Sequence, residues 1–198
     1  MKNERTFVMI KPDGIQRSLI GEIVKRIERT GLKLAALKMI VPTEEKARKH
    51  YTSNPEWVKN VGIKSIEVYK AKGKEVPTED PLEAGEIILE RLIKYITSGP
   101  VVAMVFQGVH AVPIVRKVVG STEPLTSDVG TIRGDFVIDS YELSDIDNRS
   151  VRNLIHASGT VDEASEEIKL WFDKEEVVDY RLVSEQILYD VNLDGILE

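Results

Sequence analysis

Four short apolar segments constrain the fold of this chain more than any other feature of its sequence. Residues 6–10 and 101–106 are nearly continuous apolar runs, and Lys-Pro-Asp-Gly at 11–14 is a turn signal directly after the first run. Such runs are typical of buried strands. Residues 32–41 and 153–155 are the other two segments of this kind. We therefore predict four strands.

The segments between the strands have the spacing of helices. Apolar residues recur every three or four positions over 19–27 and 161–172, and helices are also predicted over 82–96 and 110–119. We expect an α+β fold, an α/β sandwich in which a ferredoxin-like split βαβ unit forms a four-stranded antiparallel sheet covered by helices. A doubly wound Rossmann sheet is the alternative, but only four convincing strands are present.

The composition removes several classes of function. The chain of 198 residues contains no cysteine, which excludes disulfides, thiolate zinc sites, iron–sulfur clusters and a cysteine nucleophile. A net charge of −6 argues against a protein that wraps nucleic acid over its whole surface. No apolar run approaches the roughly 20 residues of a membrane span, and the first residues lack a signal-type segment. A cytoplasmic enzyme or binding protein is expected.

Phosphate binding, if this chain performs it, must rely on side chains. The sequence contains neither a GxxxxGK[ST] loop nor a GxGxxG turn after the first strand. Lys11 ends the first strand, while Arg116, Thr122 and Arg133 lie close to glycines in the second half of the chain. Arginine offers phosphate two planar donors and lysine a compact charge, so these residues are candidate phosphate ligands.

Only three histidines are present. His50 lies in a charged helical segment and His110 at a predicted helix start, so both are expected to be solvated or capping residues. His156 lies at the end of the last strand, directly before Ala157 and Ser158. A lone histidine at such a position is more often structural than catalytic, unless other functional residues converge on it.

Several ordered segments together resemble the nucleoside diphosphate kinase family. They are RTFVMIKPDGIQRSLIGE at 5–22, SGPVVAMV at 98–105, VVGSTEP at 118–124 and GTIRGDF at 130–136. The most specific is RNLIHASGTVDEASEEIKLWF at 152–172, which looks like the segment that holds the family's phosphorylated histidine. The resemblance covers roughly residues 1–56, 92–139 and 151–180.

The resemblance implies a role for each matching residue. His156 would be the nucleophile that becomes phosphohistidine, and Glu167 would hydrogen-bond its imidazole and select its tautomer. Ser158 would support the histidine segment, and Asn153 together with Lys11 would hold the ribose hydroxyls. The implied catalytic residues are His156, Glu167, Lys11 and Tyr51. The implied nucleotide-binding residues are Lys11, Arg116, Thr122, Arg133 and Asn153, with Tyr51 also lining the phosphate site.

The implied activity is transfer of the terminal phosphate of a nucleoside triphosphate to a nucleoside diphosphate by a ping-pong mechanism. The nucleophile must be neutral imidazole, while lysine and arginine neutralise the charge of the transferred group. Mg²⁺ would arrive with the nucleotide, and no protein residue is predicted to bind it directly. The family also implies a homo-oligomer, a tetramer or hexamer built from dimers. Neither a membrane nor nucleic acid is expected as a partner.

The chain departs from the family pattern at two places in the implied site. Residue 159 is glycine where the family has an acid that helps order the metal's water shell, which leaves Asp162, Glu163 or the nucleotide alone for that role. The family's base-stacking aromatic residue has no clear match, and Trp57 is the only large aromatic residue at the near edge of this region.

The predicted organisation is a single domain over residues 1–180 with insertions near 57–90 and 140–150, followed by an acidic C-terminal extension over 181–198. Residues 52–80 contain repeated glycine and proline breaks, so an irregular or partly helical segment is expected there. Both insertions fall where the family's nucleotide cleft would lie, and we expect them to change the base preference.

Two other classes of protein are alternatives. One is a nucleotide-binding regulatory or scaffolding protein on the same fold, with kinase activity that the insertions weaken or alter. The presence of His156, Lys11 and Arg116 argues against an inactive copy. The other is a small-molecule or RNA-binding ferredoxin-like module. Such a module exposes aromatic side chains on its sheet, whereas only 6% of these residues are aromatic.

Overall fold

A four-stranded antiparallel sheet forms the centre of the molecule, as the sequence predicts. The structure is a computed structural model and describes residues 3–189. The strands are β1 (Asn3–Ile10), β2 (Lys33–Ile40), β3 (Val101–Val109) and β4 (Ile155–Ala157). Their spatial order is β2-β3-β1-β4, and each neighbouring pair is antiparallel. The ferredoxin-like α+β fold is thereby confirmed.

Helices fill the connections between the strands and cover the sheet. The described helices are α1 (Pro12–Gln16), α2 (Ile20–Glu28), α3 (Glu44–Tyr51), α4 (Trp57–Ala71), α5 (Pro81–Ile96), α6 (Ala111–Val119), α7 (Ile132–Phe136), α8 (Tyr141–Ile146), α9 (Val161–Trp171) and α10 (Glu185–Tyr189), with 3-10 turns at Pro124–Thr126 and Lys174–Glu176. Among these helices, none combines the length and the apolar character that crossing a membrane requires.

The sheet separates two hydrophobic cores. Side chains alternate along β1, so Val8 belongs to the core that contains residues of α2 and α6, while Phe7 and Met9 belong to the core that contains residues of α3, α5 and α9. Met9 pairs with His156 of β4. Since Ile155 lies in the first core, alternation turns His156 to the second face, towards α3 and α9.

The segment after α3 is partly helical, which is one of the two forms expected for it. Most of it is the 15-residue helix α4, which packs on α5. A Cβ on Gly62 would lie 1.8 Å from the carbonyl oxygen of Pro81, and one on Gly85 would lie 2.0 Å from that of Val58. These glycines therefore allow two helix backbones to touch. The sequence pattern predicts a break at Gly62, but Gly62 lies inside the helix. The contact with α5 offsets the low helix propensity of glycine.

The polar segment near 140–150 contains α8 and is held by an ion pair between its two ends and by a hydrogen bond to α5. Arg149 binds both carboxylate oxygens of Asp139, at 2.6 and 3.0 Å. Arg91 of α5 donates a hydrogen bond to Asn148. The two segments predicted as insertions are therefore in contact with each other through α5.

The C-terminal segment packs on the start of β2. The Val178 N–H donates to the carbonyl oxygen of Ala35 at 2.9 Å. The ammonium group of Lys33 lies 3.4 Å from Asp179 and 3.3 Å from Glu185. Of the predicted acidic extension over 181–198, residues 190–198 lie outside the described part of the chain.

Candidate active site

A chain of hydrogen bonds holds the imidazole of His156. Its Nε2 lies 2.6 Å from Oε1 of Glu167, and Oε2 of Glu167 accepts from the Ser158 hydroxyl at 2.5 Å. The Ser158 oxygen in turn accepts the N–H of Phe7 at 3.2 Å. Both Glu167 and Ser158 are buried, whereas 19% of the His156 side chain is exposed. The structure thus brings these three predicted residues together and leaves part of the imidazole exposed.

Helix α9 positions Glu167 through its own periodicity. Thr160 caps the helix, because its hydroxyl accepts the N–H of Glu163 at 3.1 Å. Ala164, Glu167 and Trp171 then recur at spacings of three and four and form the buried face. Glu167 is therefore an acidic residue at a core position, which requires a partner such as His156.

The surroundings of His156 favour its neutral form. Burial and the positive charge of Lys11 lower the pKa of the imidazole below its ordinary value, with a smaller contribution from Arg133 and an opposing one from Glu163. Burial also raises the pKa of Glu167. A carboxylate only accepts hydrogen bonds, so the Nε2 atom beside Glu167 carries the proton and Nδ1 keeps a free electron pair.

Lys11 is a buried amine beside this histidine. Its Nζ donates to Oδ1 of Asn153 at 2.8 Å and lies 5.0 Å from the centre of the Tyr95 ring. Burial lowers the pKa of Lys11 to about 7, Arg133 adds to the shift, and Asp13 opposes it. An anion close to Lys11 would favour its charged form, so binding of an anion there would raise the pKa of this amine.

Arg133 is placed next to the predicted site, but most of its donors are already used. Its guanidinium bonds to the carbonyl oxygens of Asn153 (3.2 Å), Gly120 (3.1 Å), Ser121 (2.9 Å) and Ile155 (2.6 Å). Four of the five N–H groups of an arginine are thereby occupied. Burial and Arg116 lower its pKa to about 10, so it stays charged at neutral pH. Arg133 joins the 120–121 loop to β4 and contributes positive charge.

The remaining predicted nucleotide-binding residues lie around this group. Arg116, in the last turn of α6, is exposed, and its Nη1 lies 3.5 Å from the carbonyl oxygen of Ala157. Asn153 donates from Nδ2 to the carbonyl oxygen of Thr122 at 2.9 Å. Thr122 itself is exposed. The arrangement combines exposed donors at the surface with buried donors behind them.

Tyr51, at the end of α3, is buried against two other rings. Its ring centre lies 4.9 Å from that of His50 and 5.6 Å from that of Trp57. Burial, together with the charge of Glu167, raises the pKa of its phenol, so the hydroxyl keeps its proton. Within residues 3–189 this buried hydroxyl has no hydrogen-bond partner. It is a donor that a ligand could use.

The expectation that His50 is solvated is wrong. Only 3% of the residue is exposed, and its ring meets the His156 ring edge to face, with centres 4.6 Å apart and planes at 82°. The Trp171 indole N–H donates to Nδ1 of His50 at 3.3 Å. The spacing of Ala47 and His50 along α3 carries the signal that sequence reasoning missed, because residues three positions apart share the buried face of that helix.

A second support of the site is Asp13, whose role depends on distant contacts. Its Oδ1 accepts the Tyr95 hydroxyl at 2.6 Å, and its Oδ2 accepts the N–H of Leu154 at 3.2 Å. Leu154 has φ of 63°, a costly conformation for a bulky side chain. Its carbonyl oxygen accepts the backbone N–H of Lys11 at 2.8 Å. These contacts hold a strained residue two positions before His156.

Two groups of side chains bear on metal binding. His50, His156 and Glu167 offer ligand atoms within 4.8 Å of one another, but the 2.6 Å contact between His156 and Glu167 is that of a proton-bearing hydrogen bond. Glu163 is exposed and accepts the Gly159 N–H at 2.8 Å. A Cβ on Gly159 would lie 2.8 Å from the same carboxylate oxygen. Glu163 therefore takes up the space that a side chain at 159 would use.

The comparisons with known proteins agree with one another over most of the chain. A family model described as nucleoside diphosphate kinase matches residues 4–59 and 58–177. A nucleoside diphosphate kinase from Pyrobaculum aerophilum is 45% identical over 183 residues, which are 90% of this chain and 100% of the relative.

Two solved structures resemble this one closely. A crystal structure of an NDP kinase from Pyrobaculum aerophilum has a TM-score of 0.86 at 44% identity and covers 90% of this chain and 100% of its own. A transition-state mimic of the nucleoside-diphosphate kinase from Borrelia burgdorferi, with bound vanadate and ADP, has a TM-score of 0.76 at 35% identity, with coverages of 93% and 95%.

Proposed function

The chain belongs to the nucleoside diphosphate kinase family and is thus an enzyme that transfers phosphate between nucleotides, and we propose that His156 carries the phosphate between the two half-reactions. The observation that supports this most directly is the contact of 2.6 Å between Nε2 of His156 and Glu167. That contact leaves Nδ1 as the nucleophile. A regulatory or scaffolding protein with weak or altered kinase activity is not favoured, because the predicted residues lie around one imidazole.

The reaction proceeds in two half-reactions through the same histidine. In the first, the Nδ1 electron pair of His156 forms a bond to the terminal phosphorus of a nucleoside triphosphate, and the bond to the bridging oxygen breaks. The nucleoside diphosphate leaves with that electron pair. In the second, a terminal oxygen of another nucleoside diphosphate attacks the phosphorus, and the nitrogen–phosphorus bond breaks. Glu167 holds the Nε2 proton throughout and stabilises the positive charge that develops on the ring.

The cations next to His156 suit the phosphates of the nucleotide. Arg116 is exposed and offers a planar fork of donors. Lys11 supplies an amine with a pKa of about 7, which rises when an anion binds and so favours the charged form. We assign phosphate binding to these two residues and to the Thr122 and Tyr51 hydroxyls, with Arg133 acting through its charge and its remaining N–H. Asn153, bonded to Lys11 at 2.8 Å, is assigned to the ribose.

The relative from Borrelia burgdorferi supports phosphoryl transfer at this place. Its structure is that of a transition-state mimic with vanadate and ADP, and it matches this chain at a TM-score of 0.76. Since the match covers 93% of the chain, we propose that this molecule binds a nucleoside diphosphate and a transferring phosphoryl group in the equivalent cleft.

Mg²⁺ is proposed to arrive with the nucleotide. The described donors around His156 are mostly cations and amides, which suit phosphate oxygens better than a metal ion. The exposed carboxylate of Glu163, held over Gly159 at 2.8 Å, is an oxygen donor of the kind that Mg²⁺ and its water molecules prefer. When bound, the ion neutralises charge on the transferred and leaving oxygens. We assign Glu163 rather than Asp162 to the metal's water shell.

A homo-oligomer built from dimers is proposed from the second half of an edge strand of the sheet, beyond the part on which the C-terminal segment packs. β2 is an edge strand, and its side chains Leu37 and Met39 are 50% and 54% exposed, as is Val41 beyond its end at 66%. Apolar residues in a row along a sheet edge favour pairing with another chain. Light scattering during size-exclusion chromatography measures the assembly, and a monomer at micromolar concentration would contradict it.

The predicted organisation and location complete the proposal. We propose a single domain over 1–180, whose segments near 57–90 and 140–150 are insertions that shape the base pocket, and a cytoplasmic enzyme. Turnover numbers for the common nucleoside diphosphates test the effect of the insertions, since equal values would argue against a changed base preference.

Labelling with ATP tests the proposed nucleophile. Incubation with Mg-ATP that is radioactive at the γ-phosphate should produce an acid-labile phosphoprotein, and a nucleoside diphosphate should remove the label as triphosphate. His156→Ala should take up no label. His110→Asn is the matched control, because His110 is exposed with φ of 56°, a conformation that asparagine tolerates. Persistent labelling of His156→Ala would refute the assignment.

A further inference from the structure

The buried histidine next to His156, His50, has contacts that the phosphoryl-transfer mechanism does not explain. Its Nδ1 lies 3.3 Å from the Trp171 indole nitrogen and 3.4 Å from Oε1 of Glu167. Its Nε2 is buried and has no partner within residues 3–189. A buried polar atom without a partner is costly, so a group that is retained in this state calls for a reason.

The contact with Trp171 determines where His50 carries its proton. An indole nitrogen can only donate, so Nδ1 of His50 must present an electron pair to it. Burial, with His156 adding to the effect, lowers the pKa of His50 to about 3, so the ring is neutral. A neutral imidazole has one N–H, which therefore lies on the unpartnered Nε2.

This tautomer keeps His50 from donating to Glu167. With an electron pair on Nδ1, His50 meets Oε1 of Glu167 at 3.4 Å as one acceptor facing another. The same Oε1 atom receives the Nε2 proton of His156 at 2.6 Å. In the opposite tautomer, His50 would also donate its Nδ1 proton to this oxygen. A second donor would draw on the same negative charge and weaken the hydrogen bond from His156.

We propose that Trp171 and His50 are positioning residues: the indole N–H holds His50 in its Nε2–H tautomer and so reserves one carboxylate oxygen of Glu167 for His156. The inference rests on the proposed function, because it concerns the orientation of the nucleophile. The buried Nε2–H of His50, which has no partner among residues 3–189, is the energetic cost of the tautomer that leaves Glu167 to His156. Neither residue contacts the phosphate in this scheme.

Nitrogen NMR of the unphosphorylated protein tests the tautomer directly. With ¹⁵N-labelled histidine, each ring's coupling pattern shows which nitrogen is protonated, and three histidines give few signals to assign. His110→Asn and His50→Phe identify the signals by their loss. We expect His50 in the Nε2–H form at pH 7. The Nδ1–H form, or a charged ring, would overturn the proposal whether or not His156 is phosphorylated.

Trp171→Phe tests the consequence for catalysis while keeping an aromatic ring against Phe7. Removal of the indole donor should allow the Nδ1–H form of His50 to appear and should slow phosphorylation of His156 by about 3- to 10-fold, which corresponds to one modest hydrogen bond. The KM for ATP should stay within twofold, because neither residue is assigned to the nucleotide.

A double variant separates positioning from packing. In Trp171→Phe with His50→Phe, no group at position 50 can donate to Glu167, so the phosphorylation rate should rise again towards that of His50→Phe alone. A purely structural role predicts a double variant at least as slow as Trp171→Phe. That result, or a wild-type rate in Trp171→Phe, would overturn the proposal. If the wild-type protein takes up no radioactive γ-phosphate, the proposed function is overturned instead. The NMR result does not depend on phosphorylation, so the two failures can be distinguished.

Discussion

Replacing Glu167 with glutamine tests the central contact of the site with almost no change of shape. Glutamine keeps an oxygen acceptor of the same length but loses the charge that attracts the Nε2 proton of His156. It also brings an NH₂ group. If this group turns to Nε2, it donates to that nitrogen and the histidine proton moves to Nδ1, which blocks the nucleophile.

The size of the effect follows from the geometry. The contact is 2.6 Å long, and Glu167 is buried with 2% exposure, so solvent screens it little. Hydrogen bonds to charged groups contribute about 1.5–3 kcal/mol. If Glu167 acts mainly when positive charge develops on the ring, its loss slows phosphorylation by about 10- to 100-fold.

Quenched-flow mixing with labelled ATP measures this step before turnover. The rate of phosphohistidine formation should fall, whereas the affinity for ADP, measured by calorimetry, should change by less than threefold. Glu166→Gln is the matched control, because Glu166 is an exposed neighbour on α9 that pairs only with Lys169 among the described residues. A Glu167→Gln rate within twofold of wild type would refute the role assigned to this carboxylate.

Three further predictions concern stability and pH. Gly85→Ala should destabilise the protein by about 1–3 kcal/mol in thermal unfolding, because its Cβ would lie 2.0 Å from a carbonyl oxygen. Gly21→Ala is the control, and it should stabilise the protein by about 0.5–1 kcal/mol because the space around Gly21 is open. Equal effects of the two substitutions would contradict the helix contact. Phosphorylation of His156 at pH 5.5 should stay within about twofold of its pH 7 rate, because a lowered pKa keeps the ring neutral there; a tenfold loss would indicate an ordinary histidine with a pKa near 6.5. The pKa of His50 is 6.5 in the unfolded chain and about 3 in the folded protein, so below pH 6.5 the unfolded state binds more protons than the folded state. This group alone should therefore lower the free energy of unfolding by about 2 kcal/mol between pH 7 and pH 5. Urea titrations of His50→Phe should show that much less acid sensitivity, and an unchanged difference would contradict the burial of a neutral ring.

The sequence was sufficient for the elements whose signal is local. The apolar runs of β1 and β3 and the spacing of α5 predict their positions to within a few residues, because burial and periodicity leave a direct imprint on residue order. It was less informative where a tertiary contact reverses a local preference. Gly62 is read locally as a break, and only the backbone of α5 explains why it lies inside a helix.

By itself, the sequence determined that two common glycine-rich phosphate loops are missing, that cysteine chemistry is absent, and that His156 and Glu167 belong to a pattern shared with one enzyme family. The tertiary structure decided what surrounds that imidazole. It buried His50 against it, used most of the donors of Arg133 on the backbone, and held Leu154 at positive φ. These features depend on atoms that are distant in the chain, and the pKa of a group follows from its neighbours in space rather than from its place in the sequence.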